Sequence, residues 1–431
     1  MAKETDISLR SKVIYSIYVR NHSNEGNFQG VIKDLDRIKE LDPDIIWFMP
    51  IHPIGQVNKK GSLGCPYSIE DYRKVNPEYG TLEEFQQLID EIHKRDMKVM
   101  IDVVYNHTSH ESQLLKEHPE WFYRKEDGSV GNKVGDWEDI IDLDYDNKEL
   151  WDYQIETLKY WVRLGIDGFR CDVGSFVPVE FWTRAREEVK EVNPEVVWLC
   201  ESVEHEFLIS MREQGVLCSS DSEIFQAFDI SYEYDTYKFF RSYLEGNISL
   251  EEYLEKKRAQ EYIYPVNYVK LRFVENHDQP RSASIFKEKT DLKNWTAFSF
   301  FEKGTALIYA GQETRDYNCP SLFDRDLVNW DVDREYSDYI KKLISIKKRD
   351  IFSYGNYRIF KNNKQGVIHA EYTYKDKKLT GIFNVERKIG KYNVALKDGT
   401  YKNLIDDKNI EVTNGEIELD NFPIMFELDL N

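Results

Sequence analysis

The sequence predicts an α/β protein: a (β/α)8 TIM barrel with a short insert after its third strand and an all-β sandwich domain at the C-terminus. Three observations carry that expectation. Short apolar runs alternate with longer amphipathic stretches across residues 13–350, the rhythm of successive βα units. The runs do not alternate polar with apolar residues, which is how strands covered on both faces read, and about eight of them in series suit a closed parallel barrel better than an open sheet. From about Ile351 the helical spacing disappears, and short runs separated by turn residues take over.

Taken in order, Val13–Val19 is rich in β-branched and aromatic residues and reads as the first strand. Phe28–Leu41 places apolar residues at helical spacing up to an Asp-Pro stop. Ile45–Met49 is the second strand, and Thr81–Arg95 is a helix opened by a capping box formed by Thr81 and Glu84. Lys98–Val104 is the third strand. Residues 108–144 then break the rhythm. They are polar, carry Gly128, Gly131 and Gly135, and read as an excursion from the third βα loop, on the face where such barrels hold their chemistry. The alternation resumes with a helix over Lys148–Leu164, a strand over Gly168–Cys171, a helix over Val179–Val192 and a strand over Val196–Cys200. Three further strands are expected around Phe225–Ile230, Val269–Val274 and Thr305–Tyr309, with a helix over Asp291–Glu302. In the last part Val367–Tyr374, Leu379–Asn384 and Ile424–Leu430 read as strands. The expected domains are therefore a barrel over 1–107 and 145–350, an insert over 108–144 and a C-terminal domain over 351–431.

Composition narrows the function classes. The 431 residues carry a net charge of −20, which repels phosphate backbones and anionic lipid head groups, so neither nucleic acid nor a membrane is an expected partner. No stretch approaches a bilayer-spanning length of apolar residues. Met1–Lys12 is polar and lacks the apolar core of a secretory signal, and the five cysteines, Cys65, Cys171, Cys200, Cys218 and Cys319, form no Cys-x-x-Cys pair. Together these set the expectation of a cytoplasmic protein without a disulfide framework. Oligomeric state is not legible.

In a parallel barrel the residues that follow the strands gather at one rim. After the third strand comes Asp102 to His107, after the fourth Arg170-Cys171-Asp172, after the fifth Glu201 and after the seventh Asn276-His277-Asp278. Arg170 and Asp172 are two apart, so an extended strand points both into the mouth. A neighbouring cation favours an ionised Asp172, suited to a nucleophile, whereas the apolar run before Glu201 favours a protonated carboxyl, suited to a general acid. Two carboxyls in opposite environments are the arrangement that breaks glycosidic bonds through a covalent intermediate.

These residues carry a resemblance. DVVYNH at Asp102–His107, GFRCD at Gly168–Asp172, WLCES around Glu201, ENHDQPR from Glu275 to Arg281 and GTALIYAGQE at Gly304–Glu313 resemble, in family order and over essentially the whole chain, the motifs of the α-amylase superfamily, glycoside hydrolase family 13. The resemblance implies Asp172 as nucleophile, Glu201 as acid/base and Asp278 as the carboxylate that holds sugar hydroxyls in the distorted state. It implies Tyr67, His107, Arg170 and His277 as substrate-binding residues around the sugar at the reacting centre. No cofactor is required for that chemistry. A structural calcium of the family type would use Asn106 and an aspartate at Asp142 or Asp144, and the sequence leaves its presence open, the metal ligands being unknown.

The implied activity is retaining hydrolysis of α-1,4 bonds in maltooligosaccharides and starch-derived dextrins, with an α-glucan oligosaccharide as the partner. Departures keep an α-glucosidase, an α-1,6-glucosidase or a glucosyl transferase open. Ser175-Phe176 stands where many endo-acting members have Lys-His, and Val173 and Gln279 look more like the glucosidase branch. A non-catalytic sugar-binding relative is a further alternative, although such relatives typically lack a carboxylate that is present here. Asp324 and Arg325 lie where relatives place a residue pair for the next sugar, and a structural salt bridge accounts for them equally well.

Overall fold

The computed structural model describes residues 4–135, 137–361, 366–394 and 396–430. Eight strands close into a barrel: β1 (Val13–Ile17), β2 (Ile45–Phe48), β3 (Lys98–Val103), β4 (Gly168–Cys171), β5 (Val197–Cys200), β6 (Ile230–Tyr232), β7 (Val269–Arg272) and β8 (Thr305–Tyr309). Around the barrel they run β1-β8-β7-β6-β5-β4-β3-β2. The ladders are parallel, and the register sets Asp102 of β3 beside Arg170 of β4 and Cys171 beside Cys200 of β5. Every residue of β1, β2, β4 and β5 is buried, which is why these strands read as continuous apolar runs.

The helices named from the spacing form, and Leu250–Ile263 and Arg334–Lys347 are helical as well. α1 (Phe28–Leu41) is capped by Asn27 and ends at Asp42, which takes the left-handed conformation (φ 65°). α2 (Leu82–His93) opens on the expected capping box: Glu84 N–H donates to Thr81 Oγ1 at 3.2 Å, and Thr81 N–H donates to Glu84 Oε2 at 2.8 Å. α3 (Lys148–Arg163) and α4 (Val179–Lys190) follow, and α5 (Lys289–Phe301) precedes β8. The sixth strand is a correction. It lies at Ile230–Tyr232 rather than Phe225–Ile230, because Ser220 and Glu223 cap a short helix, Asp221–Ile224, whose last turn runs into Phe225. Asp229 then anchors the strand entry through Arg186 at 2.6 Å and the Trp198 N–H at 3.0 Å.

The chain divides into two compact units. One is built on Ile14–Asp235 and Cys319–Asn329, and the other on Thr236–Asn318 and Trp330–Asn431 with Asp6–Val13. The first holds β2 to β6 and the insert. There His107–Thr108 pairs antiparallel with Ile141–Asp142, drawing the ends of the excursion together, and a short helix, Gln113–Glu117, fills part of its span.

The second unit holds β7, β8 and the C-terminal sheets. Asn356–Ile359, Val367–Tyr374, Lys377–Asn384 and Ile424–Asp429 form an antiparallel sheet in that order. Two smaller two-stranded sheets face it across a core that includes Val367, Ile382, Tyr392, Val412, Ile417 and Phe426. Neighbouring residues alternate faces, so Tyr372 and Phe383 turn the other way and pack their rings on Phe301 of α5, each at 5.4 Å. Helical structure persists past Ile351 in one more short helix, Asp350–Tyr354, whose Phe352 joins the same aromatic cluster at 5.7 Å from Phe301.

Candidate active site

In the first unit the strand-end residues converge on one cation. Arg170 is fully buried, and its Nη1 lies 2.9 Å from Asp102 Oδ1 and 2.7 Å from Asp172 Oδ1, while Nη2 lies 2.9 Å from Glu201 Oε1. Nε donates to Tyr232 Oη at 3.3 Å, and the guanidinium sits over the rings of Trp47 at 5.3 Å and Tyr67 at 5.6 Å. Burial opposes the charge on Arg170, but Asp102 and Glu201 outweigh it and keep the guanidinium protonated. One cation facing three carboxylates leaves an excess of negative charge in a buried site. Asp102 carries the consequence. Burial pushes its carboxyl well above the usual range, Arg170 opposing and the neighbouring Asp172 adding to the rise.

Asp172 is placed as expected, on its cation. Glu201 is not. The expected apolar surroundings are replaced by the Arg170 ion pair and by the backbone N–H of Val173, which donates to Oε2 at 2.8 Å. Glu201 follows the end of β5, where its side chain reaches across to β4 instead of staying among the residues before it. Val173 holds that N–H in place from the left-handed region (φ 35°, ψ 43°), a conformation that costs a non-glycine residue roughly 1–2 kcal/mol.

The flanking groups belong to the same cluster. His107 Nε2 lies 3.9 Å from Asp172 Oδ2, and its Nδ1 lies 3.1 Å from Asn106 Nδ2. Tyr67 Oη donates to Asp102 Oδ2 at 3.2 Å, so Asp102 supports both the arginine and the tyrosine. Trp137 of the insert stands 5.7 Å from the His107 ring. Trp47, Tyr232 and Trp137 escaped the sequence reading. Trp137 had a signal, an aromatic in a polar glycine-bearing stretch, whereas Tyr232 fell beyond the misplaced sixth strand.

The calcium expectation meets one fitting atom: Asp142 Oδ1 is buried and has no hydrogen-bond partner, while Oδ2 accepts from Lys133 N–H at 2.8 Å. Asp144 instead accepts from Asp146 N–H at 3.1 Å. Among the described residues no group of three or more carboxylate, histidine or cysteine side chains is arranged to hold a metal ion, and calcium takes about six to eight oxygens; no step of the chemistry is assigned to a metal. Asp324 and Arg325 do not pair with each other. Asp324 accepts from Ser62, and Arg325 donates to the Asn24 carbonyl.

In the second unit His277 and Asp278 follow β7. His277 is buried, and its Nε2 lies 3.1 Å from Asp278 Oδ2, whose side chain is exposed. Asp278 N–H donates to Asn276 Oδ1 at 2.9 Å. Beneath them Glu275 pairs with Arg281 at 2.8 Å and accepts from Ser282 N–H at 2.7 Å, while Arg281 donates to the Ala310 carbonyl at 2.7 Å. This buried buttress fixes the loop that presents the two residues. The structure thus brings Tyr67, His107, Arg170, Asp172 and Glu201 together in one unit and sets His277 beside Asp278 in the other.

Comparison with known proteins gives the frame for these groups. The family model for the alpha amylase catalytic domain matches residues 14–352, and that for the bacterial alpha amylase C-terminal domain matches residues 359–426. An α-amylase from Lactobacillus plantarum is 44% identical, with a TM-score of 0.95 over 98% of this chain and 100% of that one. A noncanonic maltogenic α-amylase from Thermotoga neapolitana is 32% identical, with a TM-score of 0.88 and the same coverage. A maltogenic α-amylase from Bacillus acidopullulyticus is 27% identical, aligned over 93% of this chain and 70% of its own length. With its barrel and its C-terminal sheets both matched, the chain belongs to the α-amylase family, glycoside hydrolase family 13, and is an enzyme.

Proposed function

We propose that the protein is a retaining glycoside hydrolase that cleaves α-1,4-glucosidic bonds in maltooligosaccharides and starch-derived dextrins through a covalent glucosyl-enzyme intermediate. The carrying observation is that Asp172 and Glu201, just past the ends of neighbouring strands, are gripped by the two terminal nitrogens of one guanidinium. Carboxyls so close leave little room for an intervening water, which suits the retaining separation of about 5–5.5 Å rather than the inverting one of about 6.5–9.5 Å.

Arg170 holds Asp172 by Oδ1, so Oδ2, on the His107 side, is the oxygen that attacks the anomeric carbon. As that bond forms, the bond to the leaving oxygen breaks and Glu201 supplies its proton. Glu201 therefore enters the cycle protonated: sugar binding draws it off the arginine and excludes water, which favours the neutral carboxyl. The resulting carboxylate then takes a proton from the water that displaces Asp172. Tyr67 stacks on the sugar, His107 and His277 donate to its hydroxyls, Arg170 holds the nucleophile, and Asp278 binds ring hydroxyls as the oxocarbenium-like state forms. The five free thiols support a cytoplasmic setting, and among the described residues no helix is long and apolar enough to cross a membrane.

A second reading, α-1,6 cleavage, is favoured by Val173 and Gln279 and by a probable oligo-1,6-glucosidase from Bacillus subtilis that is 26% identical over 74% of this chain. A timed product profile on maltoheptaose, panose, isomaltose and soluble starch tests both, with Asp172→Asn as blank. Short maltooligosaccharides from maltoheptaose are the expected result, and the substitution lowers turnover by about 10⁴-fold or more. Glucose mainly from isomaltose or panose would establish the second reading, products longer than the donor would establish transfer, and a variant retaining a tenth of the activity would sink the nucleophile assignment.

A further inference from the structure

The loop between β2 and Tyr67 is tied down on three sides. Toward the insert, Lys60 Nζ pairs with the buried Asp139 carboxylate at 2.9 Å, and Glu111 accepts from the N–H groups of Gln56 and Val57 at 3.1 and 2.8 Å. Toward the segment after β8, Asp324 Oδ1 accepts from Ser62 N–H at 2.8 Å and Ser62 Oγ at 2.6 Å, and Leu63 N–H donates to the Phe323 carbonyl at 2.9 Å. Toward β1, the buried Arg20 pairs with Glu78 at 2.9 Å and donates to the carbonyls of Gly64 at 3.3 Å and Leu322 at 3.2 Å. The approach is close enough to require glycine: a Cβ on Gly61 would stand 2.5 Å from Phe323 Cβ, and Gly61 itself has φ +61°.

A glucan chain bound for the proposed reaction has a definite direction. Under the retaining mechanism proposed for this site, on which the direction of the bound chain depends, the acid Glu201 sits beside the bond to be broken, so the departing chain extends on the β5 side. A pyranose carries C4 at the opposite end of its ring from C1, and in an α-1,4 glucan that oxygen bears the preceding sugar. The non-reducing part of the chain therefore points away from β5, past Tyr67 and Asp102 on β3, toward the sector of β2, β1 and β8. In the closed order β1 stands diametrically across from β5.

We infer that the pinned loop 55–64 is a fixed wall across the non-reducing side of the cleft, so that the enzyme takes glucan chains by their ends and does not bind the interior of long chains. Lys60 and Asp324 are the latch residues that hold the wall; neither touches the reacting centre, and Asp324, engaged by Ser62, acts as a positioning residue.

The test compares p-nitrophenyl maltoheptaoside with the same glycoside carrying a 4,6-O-ethylidene group on its non-reducing glucose. A closed wall rejects the blocked end, and kcat/KM for the blocked substrate falls by about a hundredfold. The double variant Lys60→Ala/Asp324→Ala opens the wall and narrows that gap by about tenfold, chiefly through KM. Equal kcat/KM on the two substrates would overturn the wall while leaving the hydrolase reading intact. Cleavage of neither would overturn the hydrolase reading and the wall with it. A gap unchanged in the double variant would overturn the assignment of the latch.

Discussion

Arg170→Met is the perturbation that bears hardest on the central cluster. The substitution keeps an apolar stem of similar length but removes the cation that meets Asp102, Asp172 and Glu201 at 2.7–2.9 Å with no exposure to solvent. Removing one partner of a buried ion pair costs about 3–5 kcal/mol, because the remaining charge stays desolvated. Only proton uptake relieves it. Without the guanidinium the burial that already raises the Asp102 pKa goes unopposed by Arg170, so the folded variant binds more protons and its stability falls as pH rises. The gap from the parent is therefore widest at about pH 8 and narrows toward about pH 5, as the carboxyls take up protons. At about 2.1 cal/mol/K per residue, cooperative unfolding of 431 residues carries about 0.9 kcal/mol/K, so 4 kcal/mol lowers the midpoint by about 4 °C. Thermal unfolding followed by circular dichroism at both pH values reads this directly. A variant within about 1 °C of the parent at the higher pH, or a gap of equal size at both, would refute a charge cluster held by one cation.

Three further outcomes are expected from other parts of the fold. His52 is buried, its Nδ1 lies 2.9 Å from the Lys74 carbonyl, and burial lowers its pKa to about 4. The unfolded chain takes up a proton that the folded one refuses, so this contribution is present above about pH 6.5 and is lost as pH falls toward 4. Across that window the parent loses about 3 kcal/mol more than His52→Gln, measured by urea unfolding; parallel curves would refute it. Asp34 is held at about 2 because His22 at 2.8 Å and Arg37 at 2.6 Å outweigh its burial. Asp34→Asn therefore costs about 2 kcal/mol at neutral pH, a loss that shrinks as pH falls below about 4; a loss that does not shrink would exclude an ionic origin. Phe301→Ala empties the site between Phe352, Tyr372 and Phe383 and costs about 3–5 kcal/mol, without change in product ratios. A loss under about 1 kcal/mol would show that the C-terminal sheet does not lean on α5.

Much of this was legible because the signals are local. Uninterrupted apolar runs such as Ile45–Phe48 identify strands covered on both faces, the Thr81 and Glu84 pair identifies a helix start, and Arg170 and Asp172 share a strand face because side chains alternate. The family motifs add the roles. The sixth strand was misplaced for a reason of the same kind: Phe225–Ile230 has the composition of a strand, but a capping box at Ser220 and Glu223 commits the preceding residues to a helix.

What the sequence determined by itself was the barrel and the residues at the ends of its strands, since periodicity, capping and alternation act over a few neighbouring positions. Only the tertiary structure decided which of those residues meet. Closing the barrel brings Arg170 to Asp102, 68 positions away, and turns Glu201 from an apolar setting to an ionic one. The same closure lays Ser62 against Asp324, 262 positions along the chain. Such pairings are set by where strands close and loops dock, and no local propensity records them.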